Sequence, residues 1–191
     1  MNYSAIKYCD IANGEGVRTS LFVSGCRRRC PFCFNEEAQN FAAGKPFDKA
    51  AEEAILKSLE LDYVDGLSLL GGEPMEPENQ RGLVDFVERV KERFPNKAIW
   101  CYTGDVLEEL MPGGRHHTEA TDRLLACIDI LVDGPFIQAQ KDITLRFRGS
   151  ANQRIIDMNA TRVRAAQEGV PLSQAVCIWR DDPVFSTHMM E

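Results

Sequence analysis

The chain has 191 residues and a net charge of −7, from 22 basic and 29 acidic side chains. Hydrophobic residues make up 44% and charged residues 27%, which excludes a disordered or fibrous chain. A pI near 5.1 excludes nucleic-acid binding through a basic face. No apolar run approaches the roughly 18 residues that span a bilayer. The N-terminal MNYSAIKYCD lacks the basic and apolar regions of a signal peptide. These features predict a soluble, cytoplasmic protein with neither membrane nor nucleic-acid partner.

In chain order, Asn13-Gly14-Glu15-Gly16 reads as a flexible turn before a first strand, Thr19 to Ser24. That strand runs into Gly25 and a cysteine cluster. Apolar spacing predicts a helix from Phe47 to Leu61, with Asp48 at its start. A buried strand follows, Gly66 to Leu70, ended by Gly71-Gly72. Pro77 to Phe94 carries the apolar stripe Leu83, Val84, Phe86, Val87 and Val90, and is a second helix. Lys97 to Tyr102 is a strand broken at Gly104. Val106 to Leu110 and Thr121 to Ala126 are short helices, and Ile128 to Val132 is a strand stopped by Asp133-Gly134-Pro135. Arg146 to Arg148 and Arg154 to Met158 give weak strand signals. From Ala160 onward there is one charged helix-like stretch and then a Pro-punctuated tail with Trp179. Strands alternating with helices predict βαβ units and a parallel sheet. The chain is short for a closed eight-unit barrel of about 250 residues. The predicted class is therefore α/β, an open, partial β/α barrel. The active site is expected at the carboxyl ends of its strands.

Seven cysteines are present. Cys101, Cys127 and Cys177 sit in strand-like or apolar surroundings and read as small hydrophobes; Cys9 lies near NGEG. The other three form Cys26-Arg-Arg-Arg-Cys30-Pro-Phe-Cys33, a C-x3-C-x2-C group. A structural zinc site commonly takes four ligands from two paired elements, and no second pair follows. His116-His117 reads as part of a solvated turn. Ferredoxin-type clusters use four thiolates. Three thiolates on a four-iron cluster leave one iron open to a substrate. Arg27, Arg28 and Arg29 can hold such an anion or its docking partner, or form an ordinary solvated loop.

This spacing, with Phe32 as its aromatic residue, resembles the signature of radical S-adenosylmethionine (SAM) enzymes. Gly71-Gly72-Glu73-Pro74 after a strand matches that superfamily's second motif, in the same order. Asn13 to Cys26, Cys30 to Asn35, the YTG at Tyr102, the VDGPF at Val132 and the RGSANQRIID at Arg148 are similar to the anaerobic ribonucleoside-triphosphate reductase-activating proteins, over about residues 8–158.

The resemblance implies a radical SAM domain over residues 1–159 and a C-terminal extension, 160–191, that it does not explain. It implies a [4Fe–4S] cluster on Cys26, Cys30 and Cys33, with SAM on the open iron. Phe32 would lie against adenine, and the backbone of Phe32, Cys33 and Phe34 along its edge. Gly71, Gly72 and Glu73 would hold the SAM amino group. Asp133 would bind ribose, the SAM carboxylate or a cation. Thr103 and Asp105 would sit at a comparable strand end, and Arg148, Asn152 and Arg154 would anchor SAM or shape the opening. NGEG would lie near the radical site. No side chain is implied as catalytic, because cluster and SAM carry the chemistry. The implied partners are the anaerobic ribonucleotide reductase, as protein substrate, and a low-potential donor such as flavodoxin or ferredoxin. Activation of a pyruvate formate-lyase type enzyme, small-molecule radical SAM chemistry, and a non-catalytic iron–sulfur or zinc module are the alternatives.

Overall fold

The computed structural model describes residues 1–179; residues 180–191, the end of the expected extension, lie outside them. The longest apolar periodicities become the helices. Helix α1 spans Lys49–Leu59, and Asp48 caps it by accepting a 3.0 Å bond from the Ala51 amide. Helix α2 spans Pro77–Arg93, opens on proline and stops at Phe94, before Pro95. Helix α3 spans Thr121–Cys127, and α4 spans Met158–Glu168 with left-handed Gly169 closing it. Among the described residues no helix is long and apolar enough to cross a membrane.

Seven strands form one sheet in the order β3-β1-β2-β4-β5-β6-β7. They are β1 (Asn2–Asp10), β2 (Arg18–Val23), β3 (Lys45–Pro46), β4 (Gly66–Gly71), β5 (Ala98–Tyr102), β6 (Ile130–Asp133) and β7 (Arg154–Asp157). The central four, β2, β4, β5 and β6, are parallel as predicted. The flanking strands are antiparallel, so the sheet is mixed, and it does not close.

Several local expectations are corrected. Thr19–Ser24 is not the first strand: β1 precedes it, half-exposed and too polar to show a clean period. Arg146–Arg148 is not a strand but part of the β6–β7 connection, where Phe147 turns to pack on Trp100 at 5.2 Å between centroids. Val106–Leu110 shortens to one 3-10 turn, Leu107–Leu110. Helix α4 buries Met158, Thr161 and Ala165. The Trp179 amide donates to the Ile155 carbonyl at 2.8 Å, so the chain as far as Trp179 packs on the same sheet.

Strand alternation sorts the residues onto two faces. Leu21, Val23, Leu67, Leu69, Ile99, Cys101 and Leu131 join residues from all four helices in the main core. The other face carries Trp100, Ile130, Val132 and Ile155, with Tyr102, Phe147 and Trp179 against them. Arg18 lies buried there. Its guanidinium donates to the carbonyls of Leu67 (2.8 Å) and Ala98 (2.6 Å), its Nε to Ser68 Oγ (2.7 Å), and it stands 5.5 Å from the Trp100 ring. A fourth donation, to the Glu15 carbonyl at 3.1 Å, ties down the NGEG turn. Arg18→Ala leaves these acceptors buried without a donor and is expected to lower the unfolding free energy by about 3 kcal/mol in a urea titration. Arg123→Ala, at the exposed pair with Glu88, should leave stability nearly unchanged. Equal effects of the two substitutions would refute this.

Candidate functional site

The four central strands end side by side, and each carboxyl end carries one of the glycine-bearing loops: Gly25 after β2, Gly71-Gly72 at β4, Gly104 after β5 and Gly134 after β6. The cysteine loop and the GGEP loop are bonded directly together. The Glu73 amide donates to the Gly25 carbonyl at 2.9 Å, and the Gly72 amide to the Val23 carbonyl at 2.7 Å. Asn79, buried in the first turn of α2, donates to the carbonyls of Ser24, Gly25 and Glu73 at 3.1, 3.3 and 2.8 Å. A Cβ on Gly72 would lie 2.6 Å from the Gly25 oxygen and 2.7 Å from that of Ala38. Gly72 is therefore required for the packing of the two loops, apart from any ligand.

The far side of the cysteine loop is held by a 3-10 turn, Glu36–Gln39, whose carbonyls at Ala38 and Gln39 accept from Gly25 (2.7 Å) and Cys26 (3.1 Å). Within the loop Arg29 (φ +49°) and Phe32 (φ +60°) are left-handed, a conformation costly for side chains of this size. Cys26, Cys30 and Cys33 are free and partly exposed. Phe32 is 76% and Phe34 83% exposed, so both rings stand in solvent beside the thiols.

Three carboxylates lie buried beneath these loops: Glu73, Glu76 and Asp105. Glu76 receives the Arg27 amide (2.7 Å) and the Arg27 guanidinium (2.6 Å); Arg27 also pairs with Glu78. Asp105 receives Arg28 and, through its other oxygen, His116 Nδ1 at 2.6 Å. His116 is thus buried, against the expectation of a solvated turn; His117 pairs with Asp122 at 3.3 Å. Glu73 accepts from the Met75 amide (2.9 Å) and the Gly104 amide (2.7 Å), which ties the β4 and β5 loops together.

The remaining predicted residues line the same edge. Thr103 is buried, and its hydroxyl accepts from the Asp105 amide at 3.0 Å. Asp133 is buried and fully engaged, by Arg154 at 2.9 and 2.5 Å and by the Leu107 amide at 2.8 Å. Arg148 donates to the Gln153 carbonyl at 2.9 Å, and Asn152 to that of Pro135 at 2.7 Å. NGEG is not brought to this edge: it lies at the opposite, amino-terminal end of β2.

Burial pushes the Cys26 thiol up to about 11 and raises that of Cys30, where the Arg28 charge acts in the opposite direction. Cys26 and Cys30 hold their protons until a metal displaces them. Among the described residues no three His, Cys, Asp or Glu side chains converge as a single-ion site would require. A cubane makes no such demand, since its thiolates bind separate irons. Three soft donors on one strained loop fit an iron–sulfur cluster.

A protein-family model for a 4Fe–4S single cluster domain matches residues 12–156. The anaerobic ribonucleoside-triphosphate reductase-activating protein of Haemophilus influenzae is 44% identical over 157 residues, 81% of this chain and 97% of its own length. That of Escherichia coli K12 is 40% identical over 155 residues, 80% of this chain and 96% of its own. That of Enterobacteria phage T4 is 34% identical over 157 residues, 81% and 93%. The chain belongs to the family of anaerobic ribonucleoside-triphosphate reductase-activating proteins.

Residues that carry this family's resemblance sit on the strand ends. What sequence reasoning missed is the layer beneath them: Glu76, Asn79 and His116, together with the engagement of Asp105. One signal was available. Asn79 and Gln80 interrupt the buried stripe of α2 at positions where leucine or valine is expected.

Burial, reinforced by the Asp105 charge, pushes the Glu73 carboxyl up to about 7. Arg28 Nε lies 3.8 Å from it, but that guanidinium is directed to Asp105. The folded chain therefore keeps a proton on Glu73 that the unfolded chain releases near 4.5. The contribution of this group to stability is greatest below pH 4.5, falls as pH rises to about 7, and is constant above. Between pH 5.5 and 8 the loss is about 2 kcal/mol. Glu73→Gln should remove it, so the variant gains on the wild type by that amount across the interval in urea titrations of the metal-free chain. A difference independent of pH would show that Glu73 is ionised in the fold.

Proposed function

We propose that this chain activates an anaerobic ribonucleoside-triphosphate reductase by radical SAM chemistry, and that its open sheet is the wall of a partial β/α barrel. The observation that carries the reading is a loop with three free thiols, bonded directly to a GGEP loop on the next strand end, in a member of this family.

Cys26, Cys30 and Cys33 hold three irons of a [4Fe–4S] cluster and leave the fourth to SAM. When bound, the cluster supplies an electron to the SAM sulfonium, which parts into methionine and a 5′-deoxyadenosyl radical able to take a hydrogen atom from a glycine of the reductase. The exposed Phe32 ring gives adenine an apolar face, and the backbone from Phe32 through Cys33 to Phe34 its polar edge. Gly71, Gly72 and Glu73 carry the SAM amino group. Thr103 shapes the β5 end, and Asp133 holds Arg154 at the β6 end, with Arg148 on the loop that follows.

Among the described residues the face of the sheet that carries Trp100, Tyr102 and Phe147 bears no helix, and a loop of the reductase would dock on that side of the strand ends. Docking of that partner excludes water from the radical and sets the glycine Cα near C5′. Arg29, exposed beside the thiols, is a contact for a low-potential donor of the flavodoxin or ferredoxin type. The proposed chemistry requires a reducing compartment, the cytoplasm.

Anaerobic reconstitution tests the reading. Cys26→Ala, Cys30→Ala or Cys33→Ala should abolish cluster assembly and release of 5′-deoxyadenosine, whereas Cys127→Ala, in the core, should not. A mixture of the reduced wild type, SAM and the reductase should show a glycyl doublet by electron paramagnetic resonance, lost when the radical-site glycine becomes alanine. Undiminished activity of Cys30→Ala, or zinc in anaerobically purified protein, would contradict it.

A further inference from the structure

Arg27 and Arg28 are neighbours in sequence between the first two cysteines, yet the structure treats them differently. Arg27 is half in solvent, and its charge is answered at the surface by Glu78 as well as by Glu76 below. The Arg28 side chain is 12% exposed and turns inward, under the β5 end. It reaches Asp105, 77 positions away in the chain, with Glu109 Oε2 at 3.4 Å and Glu73 Oε2 at 3.8 Å. Its Nε is buried and has no hydrogen-bond partner. Gly104 makes space for it: a Cβ there would lie 2.5 Å from Arg28 Cδ. Asp105 is in turn fixed from behind by His116. The loop that carries the thiols is thereby plugged into the loops after β4 and β5 by one buried cation.

We propose that Arg28 is a positioning residue that locks the cysteine loop to the GGEP and YTG loops and sets a buried positive charge beside the cluster. The proposal rests on the cluster reading above and goes beyond it in naming the group that couples the two cofactor loops. Two consequences follow from the geometry. Without the plug the loop is tied down by the Arg27 pairs, the Arg27 contact with the Phe41 ring at 4.5 Å and its backbone bonds, so the segment from Cys26 to Cys33 opens more often. Reduction adds negative charge to a cluster, and its potential follows nearby charge and burial. Loss of a buried cation therefore disfavours the reduced state, while loss of the solvent-screened Arg27 charge has little effect.

The test compares Arg28→Gln, Arg28→Lys and Arg27→Gln in the full chain. In protein purified anaerobically before reconstitution, hydrogen exchange of the amides from Cys26 to Cys33 should quicken roughly tenfold in Arg28→Gln. In reconstituted protein the midpoint potential, followed by electron paramagnetic resonance, should become more negative in Arg28→Gln. Arg28→Lys should restore the potential, since it keeps the charge, but restore the exchange rate only in part, since it lacks the fork. A loss of packing alone would not be repaired by charge in this way. Wild-type exchange and wild-type potential in Arg28→Gln would overturn the proposal, as would an equal potential shift in Arg27→Gln. Should Arg28→Gln fail to fold, Asp105→Asn, which keeps the shape and weakens the anchor, should quicken the same amides; unchanged exchange there would also overturn it. A wild type that takes up no iron–sulfur cluster would refute the function proposed above, while the exchange measurement would still decide the tether.

Discussion

The site depends on burying negative charge beneath a loop that carries positive charge. Glu73, Glu76 and Asp105 are all but fully removed from solvent at the strand ends. Buried carboxylates without partners are prohibitively costly, and those with partners dictate where the partners must be. Arg27 and Arg28 supply the answering charges from the cysteine loop, and backbone amides at Met75 and Gly104 supply the rest. The loop is thus held by these charges together with its backbone bonds to Ala38 and Gln39, which suits a segment whose aromatic rings, Phe32 and Phe34, are exposed.

The fold brings these groups together through the register of four parallel strands. Because β2, β4, β5 and β6 run the same way and lie adjacent, the loops that follow them are neighbours although they are far apart in sequence. The helices all pack on one face. Among the described residues, the other face carries side chains and the segments bearing Phe147 and Trp179.

The strand-end loops were legible in the sequence because each is a local pattern: an apolar run that ends in glycine and polar residues. The main helices were legible for the same reason, through period and caps. Their partners were not. Arg28 meets Asp105 across 77 positions, and His116, read as a solvated turn residue, is the second hydrogen-bonding partner of that same carboxylate. No window of periodicity registers such a pairing. Strand β1 escaped for a different reason: it lies between β3 and β2 with most of its residues half-exposed, and lacks the buried face that produces alternation. The antiparallel β7 gave a weak strand signal at Arg154 to Met158, too short to show a period, and is fixed by its pairing with β6, from Ile130↔Asp157 to Asp133↔Arg154.

On the proposed reading, Cys26, Cys30 and Cys33 would hold three irons of a cubane and leave the fourth to SAM. Mössbauer spectroscopy of the full chain, reconstituted anaerobically with iron-57, tests it most directly. SAM should change the signal of one iron in the cluster and leave the other three unaltered. A spectrum in which SAM alters none of the irons, or all of them alike, would contradict the account.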